Sequence, residues 1–158
     1  MKKILLTLML ATTVGLMSTS CSKEVYIESS GTRVAEVTVR YGASDGWRTE
    51  DGLNYYYCPV DWDVLSEHVV YDGNVSVYVY DRSGRQNPLP YVYPVEVPYD
   101  DGTTGVVGEN LRFDLEPGRL TLIMQDLDGY LPNLTRETCP DMTFRIVATA
   151  PINYIIEQ

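Results

Sequence analysis

Apolar and polar residues alternate with a period of two along several short stretches. This is the pattern of half-buried antiparallel strands, whose side chains point by turns to core and water. Val37, Val39 and Tyr41 share one face, while Thr38 and Arg40 share the other. Val75, Val77 and Val79 alternate with Ser76, Tyr78 and Tyr80, and Leu111, Phe113 and Leu115 alternate with Arg112, Asp114 and Glu116. Tyr93, Val95, Val97 and Tyr99 alternate with Pro94, Glu96 and Pro98. Proline cannot donate to a ladder, so that stretch belongs at a sheet edge. The segment Glu116-Pro117-Gly118-Arg119 has the Pro-Gly pair of a type II turn, with Leu120 to Gln125 as the return strand of a hairpin. Thr143 to Ala148 reads as a further strand, with Val25 to Ile27 and Ile152 to Ile156 as candidate first and last strands.

One stretch departs from this pattern. Val64, Leu65, His68 and Val69 have helical spacing, Asp61 is a candidate N-cap and Asp72-Gly73 a candidate stop. One or two helical turns are therefore expected before the Val75 strand. Loops rich in Gly, Asp, Asn or Thr are expected over 42–52, 100–105 and 126–141. Short strands separated by such turns predict an all-β antiparallel sandwich, Ig-like or jelly-roll-like, of about 7–9 strands with one short helix.

The N-terminus reads as an address. Lys2 and Lys3 precede an apolar stretch from Ile4 to Met17, which is shorter than the ~20 residues of a membrane span and fits a secretory signal. Ser18, Thr19 and Ser20 then lead to Cys21, an arrangement that resembles the signal of a bacterial lipoprotein, whose cysteine is acylated and becomes the mature N-terminus. The lipoprotein pattern has Leu three positions before the cysteine, where this chain has Ser18. Ser18 and Ser20 also satisfy the rule for ordinary cleavage, which would release a soluble secreted protein. The expected organisation is a signal peptide over 1–20, a lipid-anchored segment over 21–32 carrying a candidate edge strand, and a single sandwich domain over 33–158. The expected location is the outer membrane, facing periplasm or cell surface.

Composition narrows the function classes. The 158 residues are 44% hydrophobic and 22% charged, which suits one packed domain. Lys and Arg number 12 against 22 Asp and Glu, and loss of residues 1–20 leaves 10 bases and a net charge of -12. So acidic a surface repels phosphate backbones, and no nucleic-acid partner is expected. In an oxidising compartment, Cys58 and Cys139 are candidates for a disulfide once Cys21 carries lipid; two separately buried thiols are the alternative.

The run from Cys58-Pro59-Val60-Asp61-Trp62 through Asp72-Gly73-Asn74-Val75, with Asn87-Pro88-Leu89-Pro90-Tyr91 and Phe144-Arg145-Ile146-Val147-Ala148, resembles small secreted proteins of Bacteroidetes. The resemblance covers about Tyr55 to Pro151. It implies a β fold and export, and it transfers no functional residue. Where that family has an apolar residue before the proline this chain has Cys58, so the bridge gains nothing from it.

Little in the chain points to catalysis. His68 is the only histidine, and it falls on the apolar face of the expected helix, where a packed role is more common than a base or ligand. No nucleophile elbow, zinc-protease helix or phosphate-binding glycine loop occurs. Asp100-Asp101-Gly102 and Asp126-Leu127-Asp128-Gly129 lack a full calcium loop and read as turns, so no metal or other cofactor is expected. The one excess is tyrosine, with 13 residues against 2 Trp and 2 Phe. Tyrosine suits cross-strand packing, and it also recurs at recognition surfaces. Tyr78 and Tyr80, opposite the inward valines, and Trp47 in a loop are the binding-surface candidates. The expected function is a non-catalytic envelope module binding glycan or protein. The alternatives are a structural or assembly subunit and, more distantly, a small hydrolase.

Overall fold

The computed structural model describes residues 22–29, 31–98, 101–129, 131–132 and 141–151. The signal segment, Cys21, Tyr99, Cys139 and the candidate strand at Ile152 to Ile156 lie outside the described residues. The chain forms β1 (Ser22–Ser29), β2 (Thr32–Val39), β3 (Tyr56–Asp61), α1 (Glu67–Tyr71), β4 (Asn74–Tyr80), β5 (Gln86–Pro88), β6 (Tyr91–Pro98), β7 (Thr104–Glu116), β8 (Arg119–Asp126) and β9 (Met142–Thr149). Two antiparallel sheets result, a five-stranded one ordered β1-β2-β9-β4-β5 and a four-stranded one ordered β3-β8-β7-β6.

The two sheets face each other as an antiparallel β-sandwich, because the alternating apolar sets converge on one core. Val37, Val39, Val77, Val79, Phe144 and Ile146 of the first sheet join Cys58, Val60, Leu111, Leu120, Leu122 and Met124 of the second in a single buried cluster. Burying each aliphatic side chain of this kind is worth ~1.5–3 kcal/mol, which drives the sheets together. The second faces of the valine strands stay at the surface, as the two-residue period requires.

The expected edge strand is an edge. β6 closes one side of the four-stranded sheet, where Pro94 and Pro98 interrupt the backbone donors that a further strand would need. The Pro117-Gly118 hairpin joins β7 to β8, and Gly118 takes φ +82°, a region open to glycine at little cost. β7 begins at Thr104, well before the alternation from Leu111. Gly105 and Gly108 hide this extension, since neither contributes a side chain to the pattern. At Gly108 a Cβ would stand 2.7 Å from both Leu127 Cδ1 and Val92 Cγ1, so those side chains close over the strand only because glycine is there.

The helix has the expected one to two turns but starts later. Its N-cap is Ser66, whose hydroxyl accepts from Val69 N at 3.4 Å, and Asp61 instead ends β3. The hairpin turn explains the delay: Trp62 N donates to Gly118 O at 2.9 Å, and Gly118 N donates to Leu65 O at 2.6 Å. These bonds hold 62–65 irregular and bury Trp62 and Leu65 under the turn. The helix buries Val69 alone, so His68 lies on the solvent side rather than on an apolar face, with its side chain 49% exposed and Nδ1 3.4 Å from Asp72 Oδ2.

Cys58 belongs to β3, and its candidate disulfide partner Cys139 lies outside the described residues. It sits on the inner face of β3, fully buried, with Sγ donating to Asp45 O at 3.5 Å. Among the described residues no helix is long and apolar enough to cross a membrane.

Candidate functional site

The outer face of the four-stranded sheet carries a concavity. Ladder register sets its floor: Tyr57 on β3 stands opposite Ile123 on β8, and Ile123 opposite Arg112 on β7. One row further, Pro59, Thr121 and Asp114 align in the same way. Ile123 points away from the core and is still only 3% exposed, which marks a face that is covered rather than open.

The wall comes from the connection between β2 and β3. Arg48 pairs with Tyr57 as an isolated bridge, with Arg48 N to Tyr57 O at 2.9 Å and Tyr57 N to Arg48 O at 2.8 Å. Leu53 N returns to Glu50 O at 3.1 Å, and Asn54 Nδ2 reaches Gly129 O at 2.8 Å. The connection is thus tied to the sheet edge and to the turn after β8. Between wall and sheet lies a groove of about 460 Å³, lined by Glu50, Leu53, Tyr55, Tyr57, Asp114, Leu115, Glu116, Thr121 and Ile123. That volume is within the range of small-molecule sites, ~300–1,000 Å³.

Its electrostatics lean acidic. Three carboxylates line the groove, and two arginines stand at its margin. Both arginines contact groove residues. Arg112 has its guanidinium carbon 5.7 Å from the Tyr55 ring centre, with Nη1 sealed from solvent. Arg119 Nε donates to Asp61 Oδ1 at 2.7 Å, and its Nη1 lies 3.8 Å from Glu116 Oε1. The Tyr57 hydroxyl donates to Glu50 Oε1 at 2.5 Å, and this bond, ahead of desolvation, raises the Tyr57 pKa above that of an ordinary phenol. Groups of three His, Cys, Asp or Glu able to hold one metal ion do not occur among the described residues, so these acids are spread along the groove instead of converging.

No family model, curated protein or solved structure matches the chain. Its chemistry is therefore read from these residues alone.

The sequence-predicted surface residues lie elsewhere and apart from one another. Tyr78 and Tyr80 are on the outer face of the five-stranded sheet, both half-buried. The Tyr80 hydroxyl donates to Glu36 Oε1 at 2.7 Å and accepts from Gln86 Nε2 at 3.2 Å, and the bond to Glu36 raises its pKa. Trp47 packs on the core, edge-on to Phe144 with ring centres 6.1 Å apart, instead of standing free as a platform. A second, smaller cavity of about 310 Å³ lies where the β4–β5 turn meets β6, lined by Asp81, Arg82, Ser83, Tyr91 and Tyr93 among others. Asp81 there is already saturated: its Oδ1 accepts from Ser83 N, Ser83 Oγ and Arg85 N, which holds its pKa down to about 2.

Tyr55, Tyr57 and Ile123 escaped the sequence reading as a site. One signal was available: Leu122-Ile123-Met124 is a continuous apolar run, and in a two-residue alternation it places an apolar side chain on the water face.

Proposed function

We propose that this chain is a non-catalytic binding module of the cell envelope, held to the membrane by lipid on Cys21. Its ligand surface is the outer face of the four-stranded sheet. The groove between β3, β8, β7 and the 42–54 connection carries the proposal, because it combines tyrosine side chains, apolar lining at Leu53 and Leu115 and several hydrogen-bond acceptors on a sheet. Recognition surfaces use tyrosine in this way, with a fixed aromatic body and a wet polar tip.

A binding role is favoured over chemistry by where the reactive groups stand. His68 is on α1 outside the groove, and Cys58 is sealed in the core. The lipid anchor rests on the residues around Cys21, and the start of β1 at Ser22 would leave almost no slack between membrane and sheet edge.

The test is capture of envelope glycans and proteins by the full chain in detergent, compared with Tyr55→Ala and Tyr57→Ala. A ligand bound by the natural chain and lost in both variants, with unchanged circular dichroism, supports the groove. A ligand retained by both variants overturns it.

A further inference from the structure

We infer that the occupant of this groove is an uncharged saccharide, and that the groove rejects acidic ones. The inference rests on the binding role proposed above and adds the chemistry of the ligand.

The acceptors argue first. Glu50, Asp114 and Glu116 line the groove and outnumber the two arginines at its margin, Arg112 over Tyr55 and Arg119 beside Glu116. A bound anion would therefore face an excess of negative charge in a cleft walled by protein, where like charges repel more than in open water. A metal ion is disfavoured by the same geometry, since the acids do not gather about a point. A row of separated acceptors matches a ligand with separated donors, which is what the hydroxyls of a sugar ring provide. Hydrogen bonds to ionised acceptors are stronger than neutral ones, so each such pairing also contributes affinity.

The aromatic faces argue second. Tyr57 is fixed by its hydroxyl bond to Glu50 and by both backbone bonds to Arg48, and Tyr55 by the guanidinium of Arg112 over its ring. A tyrosine held in this way loses little conformational freedom on binding a flat ligand face. A cationic peptide would meet the same carboxylates, but exposed ion pairs contribute little alone. It would also leave the tyrosine side chains and the apolar Leu53 of the wall without a complementary surface.

The experiment is calorimetric titration of the full chain in detergent with neutral tetrasaccharides of glucose, galactose and mannose, and with tetragalacturonate as the acidic probe. At least one neutral tetrasaccharide is expected to bind at least tenfold more tightly than tetragalacturonate at low salt. The double variant Glu50→Gln/Asp114→Asn should narrow that gap, and Tyr57→Ala should lose the neutral ligand while Tyr57→Phe keeps most of it. Tetragalacturonate binding as tightly as the neutral sugars overturns the selectivity. A peptide or protein bound in a Tyr57-dependent manner, with no saccharide bound, overturns the saccharide but leaves the groove as the binding site. Absence of any Tyr57-dependent ligand overturns both.

Discussion

Glu109 on β7 stands opposite Asp126 on β8, with Tyr93 of β6 on its other side. It is 5% exposed, and its Oε2 has no hydrogen-bond partner. Burial, and secondarily the charge of Asp126, push its pKa from 4.5 up to about 7. In the unfolded chain the group ionises near its ordinary value, so between those two pH values the folded state holds a proton that the unfolded state has lost. The contribution of protonated Glu109 is therefore complete below about pH 4.5 and is lost as pH rises through about 7. Glu109→Gln should flatten the pH dependence of stability in this window. At pH 8 it should also raise stability by about 1–3 kcal/mol, since one pKa unit corresponds to about 1.4 kcal/mol. Urea unfolding at pH 5 and pH 8 checks this, and an unchanged slope in the variant would show that Glu109 titrates normally.

Gly118 has φ +82° and nothing within 4 Å of the place a Cβ would take. The cost of Gly118→Ala is therefore conformational rather than steric, about 1–2 kcal/mol from the left-handed backbone. Gly118→Asn should cost less, because asparagine tolerates that region. Thermal melts of the two variants give the order, and equal melting temperatures would mean that the turn rearranges. Loss of the turn would also release Trp62 and Leu65, whose backbone bonds run to Gly118.

The hairpin, the valine strands and the proline-marked edge were legible because each is a local signal: a turn pair, an alternation or a missing donor. The sandwich followed, since five or more such strands can bury one face only against each other. What local patterning could not convey was register between distant segments. Tyr57 and Ile123 meet only because β3 pairs with β8, so a groove between them has no continuous stretch of sequence to announce it. The helix start was misread for a related reason: Asp61 has the chemistry of a cap, but a hairpin turn more than fifty residues later takes up the backbone groups of Trp62 and Leu65. Trp47 looked like a surface platform because its neighbours Asp45, Gly46 and Arg48 are loop residues, and its contact with Phe144 is visible only in three dimensions.

Cys58 should behave as an interior thiol. It is fully buried between the sheets, so iodoacetamide should label its peptide slowly in the native protein and far faster in denaturant. Labelling in denaturant that appears only after reduction would demonstrate a bridge. Cys58→Ser places a hydroxyl in this apolar layer and should cost about 1–3 kcal/mol if the hydroxyl finds no equivalent partner.

The ligand face is tested most directly by backbone amide shifts in a nuclear magnetic resonance titration of the isotope-labelled full chain with its tightest-binding tetrasaccharide. Shifts concentrated at Tyr55, Tyr57, Asp114, Thr121 and Ile123 are the predicted result. Shifts concentrated instead at Tyr78 and Tyr80, on the opposite sheet, would contradict the assignment of the groove.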